Sequence, residues 1–494
     1  MRNKITIIAG FRMEIKISGH NYQYDVSGMS LLFFPGEPVC FKTHPRGALR
    51  LSSRVVNTTR GLYARATFWM EESVYRAEKK MQNYTREEML AAVKHTIYRV
   101  FSRATGILPP WGILTGIKPT GIYQRLLAEK GALETRRILL KEYLMRPEKI
   151  PLLHQICRVM ETVQTDCSKE ASLYISIPFC PSRCSYCSFI SVAAERCNHL
   201  MELYLEKLCG EIHEKCRVLN ENGLSVRAVY IGGGTPGILS PQQIEKLLSV
   251  IRSELKAPLR EFTFELGRPD TVTEEKLRLL KSFGVSRICI NTQTTNDRVL
   301  EQIGRKHTRA QYLHAVSLTR KMNFDSINTD LIAGLPGEDE ASFARSLEDV
   351  LKAGADNITI HTLSIKRSSR LHETPDYFDP RNDHVQRMLD RAYERLLRLG
   401  FIPYYMYRQK KTVSNGENVG FARPETICLY NLYMMEDLHT VAACGAGAST
   451  KIISGESGRI ERIINVKYPF EYIGEYEKVR HNTHLLEQKL KERT

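Results

Sequence analysis

Apolar and polar positions alternate in short runs from about residue 12 to 72, as in Met13-Glu14-Ile15-Lys16-Ile17. A second apolar run, Leu31-Leu32-Phe33-Phe34, lies between Gly28 and Pro35. Both runs read as strands, because period-two patterns bounded by Gly and Pro fit a half-buried sheet. Met13 opens the first convincing strand, so residues 1–12 read as an upstream extension. From about 76 to 165 the rhythm turns helical, with Met89, Leu90, Val93 and Ile97 at three- and four-residue spacing. An irregular stretch, Leu108 to Gly116, carries Trp111, one of two tryptophans. Residues 1–165 are therefore expected to form an α+β accessory domain.

The middle of the chain, 166–405, alternates differently. Strand-like runs begin at Leu173, Ala228, Phe262, Ser286, Ser326 and Asn357, with helical patterns over 198–219, 241–255, 273–283, 309–322, 338–352 and 384–400. Strand and helix in strict alternation predict βα units around a parallel sheet, in which chemistry gathers at the carboxyl ends of the strands. The expected class is α/β, a partial (β/α)6 barrel of the TIM type. Residues 406–494 read as an irregular, Gly-rich C-terminal region ending in a charged helix. The sequence carries no internal repeat and no low-complexity segment.

Composition narrows the class. The chain has 494 residues, 42% hydrophobic and 26% charged, which excludes disordered and fibrous proteins. No apolar run approaches the roughly 18 residues of a membrane span, and Ile5 to Ala9 is too short for a secretory signal. A cytoplasmic, reducing location is expected, in which the 12 cysteines do not build disulfides. The formal charge of +16 calls for an anionic partner.

The sharpest motif is Cys180-Pro-Ser-Arg-Cys184-Ser-Tyr186-Cys187, directly after the first strand of the alternating region. Three thiolates at spacings of four and three can hold three corners of one [4Fe–4S] cluster and leave the fourth iron open to a small molecule. Zinc is the competing reading, although it favours two spaced pairs or a Cys/His set. The other nine cysteines are scattered, and buried free thiols are the default for them.

The motif, with an aromatic before its third Cys, resembles the radical S-adenosylmethionine (SAM) superfamily. Gly232-Gly233-Gly234-Thr235-Pro236 follows the second strand, as that superfamily's SAM-binding turn does. Further positions resemble the oxygen-independent coproporphyrinogen III oxidase group. Tyr174 lies six residues before Cys180, Glu265 ends the third strand and Gln293 follows the fourth; Arg305 comes twelve residues later, and Asp330 and Ile332 lie in Asp330-Leu-Ile332-Ala-Gly-Leu-Pro336. The resemblance implies a [4Fe–4S] cluster on Cys180, Cys184 and Cys187. It implies SAM contacts at Tyr174, Tyr186, Gly233, Gly234, Thr235, Glu265, Gln293, Arg305, Asp330 and Ile332.

Longer signatures resemble the coproporphyrinogen dehydrogenase branch called HemZ. They are Trp111 to Thr120, Glu265 to Asp270, His361 to Arg367, Tyr407 to Lys410, Glu417 to Gly420 and Gly445 to Ser449. Another branch resembles haem chaperones with a C-terminal His-Asn-x-x-Tyr-Trp motif, where this chain has Tyr430 in the His place and Met435 in the Trp place; His439 lies nearby. The resemblance implies SAM cleavage to methionine and a 5′-deoxyadenosyl radical, hydrogen abstraction from a propionate β-carbon, and loss of CO2 and of one electron to a terminal acceptor, which leaves a vinyl group. Repeated once, this converts coproporphyrinogen III to protoporphyrinogen IX. The four substrate carboxylates would meet Lys366, Arg367, Arg370 and Arg408, and an electron donor such as flavodoxin or ferredoxin is implied. The alternatives are a haem chaperone and a radical SAM tRNA-modifying enzyme, although no RNA-recognition motif or dense basic run makes nucleic acid the expected partner.

Overall fold

A computed structural model describes residues 12–492 except 36, 117, 164, 189–191, 194–197, 367–368, 374–382, 410–411 and 455–458. The described residues divide into two compact units.

The first unit takes its residues from Met1–Cys157, Glu373–Gln386 and Tyr407–Glu417. Its strands are β1 (Met13–Ser18), β2 (Val39–Phe41), β3 (Leu49–Thr58), β4 (Gly61–Met70) and β5 (Ser73–Lys80), in the order β2-β1-β3-β4-β5. Its helices are α1 (Gln23–Phe33), α2 (Arg86–Thr105), α3 (Pro119–Lys141) and the start of α4 (Lys149–Thr162). Phe33, Phe34, Phe68 and Phe101 interlock at ring distances of 4.8 to 5.6 Å and fill the core beneath the sheet. Leu31-Leu32-Phe33 is helical, which corrects the strand expected there. Val26, Met29, Ser30 and Phe33 fall on one buried helical face, and that three-to-four spacing outweighs the local apolar run.

The second unit holds Arg158–His372, Arg387–Met406 and Asn418–Thr494. Its strands are β6 (Glu170–Ile177), the short pair β7 (Phe179–Cys180) and β8 (Val192–Ala193), β9 (Ser225–Gly233), β10 (Glu261–Gly267), β11 (Arg287–Ile290), β12 (Ser326–Ala333), β13 (Asn357–Thr362), β14 (Ile402–Tyr407), β15 (Asn418–Ala422), β16 (Thr440–Cys444), β17 (Ser449–Ser454) and β18 (Arg459–Ile464). The six expected strands, β6 and β9 to β13, run parallel in chain order. Between them lie α5 (Asn198–Glu221), α6 (Pro241–Glu254), α7 (Glu274–Ser282), α8 (Asp297–Gln302), α9 (Arg309–Arg320) and α10 (Glu340–Ala353), and α11 (His384–Arg398) follows. The helix starts are encoded locally. Ser240, Thr273, Thr308 and Asp339 each accept the backbone N–H three residues on, which satisfies a donor that the first turn leaves free.

The C-terminal region departs from the irregular segment expected. β16 joins β6 in parallel, β17 and β18 continue antiparallel from it, and β15 pairs antiparallel with β13 at the other side. The result is an eleven-stranded sheet, β14-β15-β13-β12-β11-β10-β9-β6-β16-β17-β18. Three further helices, α12 (Leu429–Met435), α13 (Pro469–Gly474) and α14 (Tyr476–Lys491), belong to the same region. Glu261 at the start of β10 accepts from the Leu429 and Tyr430 N–H groups, which docks α12 against the sheet.

Candidate active site

Strand register decides which side chains share a face. Tyr174 lies beside Tyr230, Tyr230 beside Thr263, Glu265 beside Cys289, Cys289 beside Asn328, and Asp330 beside Thr359. Side chains alternate along a strand, so this set lies on one side. The intervening positions, such as Ile175, Ile231, Phe264, Ile288, Leu331 and Ile360, are fully buried aliphatics and a Phe. One face is apolar and the other carries phenols, amides and carboxylates. Packed barrel interiors are dominated by branched aliphatic residues; a polar interior face is chemistry for a polar ligand.

The cysteine loop leaves the carboxyl end of β6. Cys184 is buried and Cys180 and Cys187 are half-buried. Thr235 Oγ1 donates to Cys180 Sγ at 3.4 Å, and the Cys187 N–H donates to the Cys184 carbonyl at 3.2 Å. Among the described residues no three Cys, His, Asp or Glu side chains are already gathered around a metal-sized point. The loop supplies three thiols as donors without a preformed cage.

The glycines of the turn after β9 are required by this loop. Backbone donors at Gly234 and Thr235 reach the carbonyls of Ile177 and Phe179 at 2.8 Å each. A Cβ on Gly234 would lie 2.6 Å from the Phe179 oxygen, and Gly233 sits at φ +109. Only glycine fits both demands.

Arg305 joins the loop to the sheet. Its Nη1 donates to the Tyr186 hydroxyl at 3.0 Å and lies 4.0 Å from Cys184 Sγ, while Nη2 donates to the Asn291 carbonyl. The ion is buried, yet Tyr186 and Cys184 beside it hold its pKa above the usual arginine range. Ser182 on the loop accepts from Arg268 at 2.6 Å, and Arg268 is gripped by both oxygens of Asp270.

Two carboxylates face the site. Glu265 accepts from Asn291 Nδ2 at 2.8 Å and from the Tyr230 hydroxyl at 3.4 Å. Burial and the nearby Asp330 charge push the Glu265 carboxyl up to about 8. Asp330 accepts from Asn328 Nδ2 at 3.1 Å, and His361 Nε2 lies 3.5 Å from its other oxygen. Gln293 adopts φ +71, a conformation uncommon outside glycine. Its carbonyl takes the Ile332 N–H, its N–H donates to Asp330 O, both at 2.9 Å, and its side-chain oxygen is buried without a hydrogen bond. Tyr174, Tyr230 and Tyr430 stack at 4.8 to 6.2 Å.

The structure thus brings together Tyr174, Tyr186, Gly233, Gly234, Thr235, Glu265, Gln293, Arg305, Asp330, Ile332 and the cysteine loop within the second unit. Lys366 is exposed after β13, and this segment reaches the cysteine loop where the Leu371 N–H donates to the Ser185 carbonyl at 3.2 Å. Arg367 lies outside the described residues. Arg408 belongs to the first unit and is 6% exposed; it donates to the Leu114 carbonyl and lies 5.5 Å from the Trp111 ring centre. Burial pushes its guanidinium down to about 10. Beside it Glu417, fully buried, accepts from Trp111 Nε1 at 2.9 Å and Lys149 Nζ at 2.7 Å. Of the cations expected to meet substrate carboxylates, Arg408 is thus buried in packing with Leu114 and Trp111, whereas Lys366 is exposed.

Asn291, Asn328 and Tyr230 are site residues that the sequence reading missed. Asn328 lies two positions before Asp330 on the same strand, so counting alternate positions reaches it; Tyr230 lies on β9 and Asn291 beyond the end of β11, and both join the site only through strand register.

A radical SAM superfamily model matches residues 174–350. The chain is 35% identical over 419 residues, 82% of each chain, to the oxygen-independent coproporphyrinogen-III oxidase-like protein HemZ of Bacillus subtilis. It is also 34% identical over 203 residues to the heme chaperone HemW of Lactococcus lactis, covering 40% of this chain and 50% of that one. Among solved structures, coproporphyrinogen III oxidase (HemN) of Escherichia coli has the same fold, with a TM-score of 0.51 and 21% identity over 65% of this chain and 72% of that one. The superfamily's cofactors are a [4Fe–4S] cluster and SAM; the loop has thiols of the kind that bind iron, and the polar face has acceptors of the kind that fit the ammonium and hydroxyl donors of SAM. The chain belongs to the radical SAM superfamily and, within it, to the family of oxygen-independent coproporphyrinogen III oxidase-like proteins.

Proposed function

We propose that this chain is a radical SAM enzyme that oxidatively decarboxylates propionate side chains of coproporphyrinogen III to vinyl groups, yielding protoporphyrinogen IX. The observation that carries the reading is the bridge made by Arg305, which bonds the cysteine loop at Tyr186 and the end of β11 at Asn291. It joins thiols for a cluster and acceptors for SAM in one site. Cys180, Cys184 and Cys187 would hold the cluster. Glu265, Gln293, Asp330 and the backbone of Gly233 to Thr235 would accept from the ribose hydroxyls and ammonium of SAM, with Tyr174, Tyr186 and Ile332 lining the site and Arg305 facing its carboxylate. When bound, the two cofactors supply one-electron chemistry that makes hydrogen abstraction from an unactivated carbon accessible. The protein excludes water with Thr235, Tyr186 and the Tyr174–Tyr230–Tyr430 stack. A one-electron donor such as flavodoxin or ferredoxin would feed the site. Lys366 is the proposed partner for a substrate carboxylate, and Arg367 and Arg370 follow it in sequence.

The second reading, a haem chaperone, draws on the relatives of that name. What weighs toward the enzyme is the state of the candidate haem ligands. Tyr430 is buried in a ring stack. His439 is fully buried, with one nitrogen 2.5 Å from Thr165 Oγ1 and the other 2.9 Å from Ser172 Oγ, and burial pushes its pKa down to about 3.

The test is anaerobic incubation of reconstituted protein with SAM, reductant and coproporphyrinogen III, beside a haem titration. Catalytic loss of the substrate, abolished in Cys184→Ala, is expected. Stoichiometric haem binding with no porphyrinogen consumed would make the chaperone reading the better one.

A further inference from the structure

Asn291 and Asn328 hold the two carboxylates in matching ways. Each donates Nδ2 to one carboxylate, Asn291 to Glu265 and Asn328 to Asp330. The other end of each amide, Oδ1, is buried with no hydrogen-bond partner, although the residues are only 5% and 6% exposed. An ionised carboxylate fixes this orientation, because the reverse would press a carbonyl against an anion; for Glu265, whose carboxyl is pushed up to about 8, that holds only in alkaline solution. Gln293 Oε1 is a third buried acceptor without a partner.

A buried carbonyl left unpaired costs about 1–3 kcal/mol. Three such oxygens beside two carboxylates therefore describe a surface with a surplus of acceptors. The complementary ligand is rich in donors and carries positive charge.

We propose that Asn291 and Asn328 are SAM-binding and positioning residues. Their NH2 groups orient Glu265 and Asp330, and their Oδ1 atoms accept hydrogen bonds from the ammonium or hydroxyl donors of SAM. The inference rests on the SAM-binding part of the proposed function and is independent of the porphyrinogen. It implies that these amides are kept at a cost to the ligand-free protein.

The experiment is equilibrium dialysis of SAM with cluster-reconstituted, unreduced protein, with thermal unfolding of the same samples without SAM. Wild type is compared with Asn291→Leu and Asn328→Leu, and with Ala at the same positions should a Leu variant not fold. The expected result is SAM affinity lowered about 5- to 30-fold, with the ligand-free melting temperature little changed, because the unpaired carbonyl removed offsets the hydrogen bond lost to the carboxylate. A purely structural role would move the melting temperature down and leave affinity alone. That outcome, or wild-type SAM affinity in both variants, overturns the inference. Wild-type protein that binds SAM but turns over no porphyrinogen would count against the proposed substrate and not against this pair.

Discussion

Glu265 concentrates the electrostatics of the site in one group. Its folded pKa of about 8 stands above the ordinary 4.5, so the ligand-free fold holds this proton more tightly than the unfolded chain. The stability tied to that proton is fully present below pH 4.5 and is lost as pH rises through about 8, amounting to a few kcal/mol at most. Glu265→Gln keeps the shape without the ionisation. Ligand-free Glu265→Gln should therefore melt within about 1 °C of wild type at pH 5 and about 2–5 °C higher at pH 9. Parallel melting curves across that range would mean that the carboxyl ionises freely in the fold. The residues legible in the sequence were those with a motif around them, namely the three cysteines, the glycine turn, Glu265 and Asp330. Asn291 was illegible because a lone amide carries no signal until strand register shows what it faces, whereas Asn328 stood two positions from Asp330 and was overlooked. The packing of Arg408 on Trp111 was illegible because the two residues lie far apart in the sequence and meet only in the fold.

The elements of the alternating region were legible almost throughout, since cap residues and periodicity agree there. Where the chain departs from its reading, tertiary pairing decides. β16 is a short apolar run that reads as part of a Gly-rich tail, and only its partner β6 makes it a strand. The turn after β9 shows the reverse case, a sequence dictated by a neighbouring element. Gly234→Ala would push a Cβ to 2.6 Å from Phe179 O and 2.9 Å from Ile177 O, both backbone atoms unable to yield separately. Overpacking of this kind costs about 1–3 kcal/mol. We expect Gly234→Ala to retain less iron after reconstitution and to unfold earlier, as read by iron content and denaturant midpoint. Wild-type iron content and midpoint together would show that the cysteine loop is not held by this turn.

Across the whole molecule, the C-terminal region is part of the sheet that carries the cysteine loop. The Gly445 N–H donates to Glu211, the Ala446 N–H to the Tyr204 hydroxyl, and that hydroxyl in turn to the Ser176 carbonyl, three residues before the cysteine loop begins at Phe179. Glu211 is itself buried against Lys215 at 2.7 Å, so the C-terminal region is tied through α5 to the strand that delivers the thiols. Among the described residues no helix is long and apolar enough to cross a membrane. The charge of +16 would suit the four carboxylates of the proposed substrate, and Lys366 places one exposed cation on the segment that touches the cysteine loop. All of this bears on one claim, that a hydrogen atom leaves a substrate propionate in this site. The direct measurement is mass spectrometry of the 5′-deoxyadenosine formed with coproporphyrinogen III deuterated at the propionate β-carbons. The account predicts deuterium in the recovered 5′-deoxyadenosine, in step with CO2 release; unlabelled 5′-deoxyadenosine, formed at the same rate with and without the porphyrinogen, would contradict it.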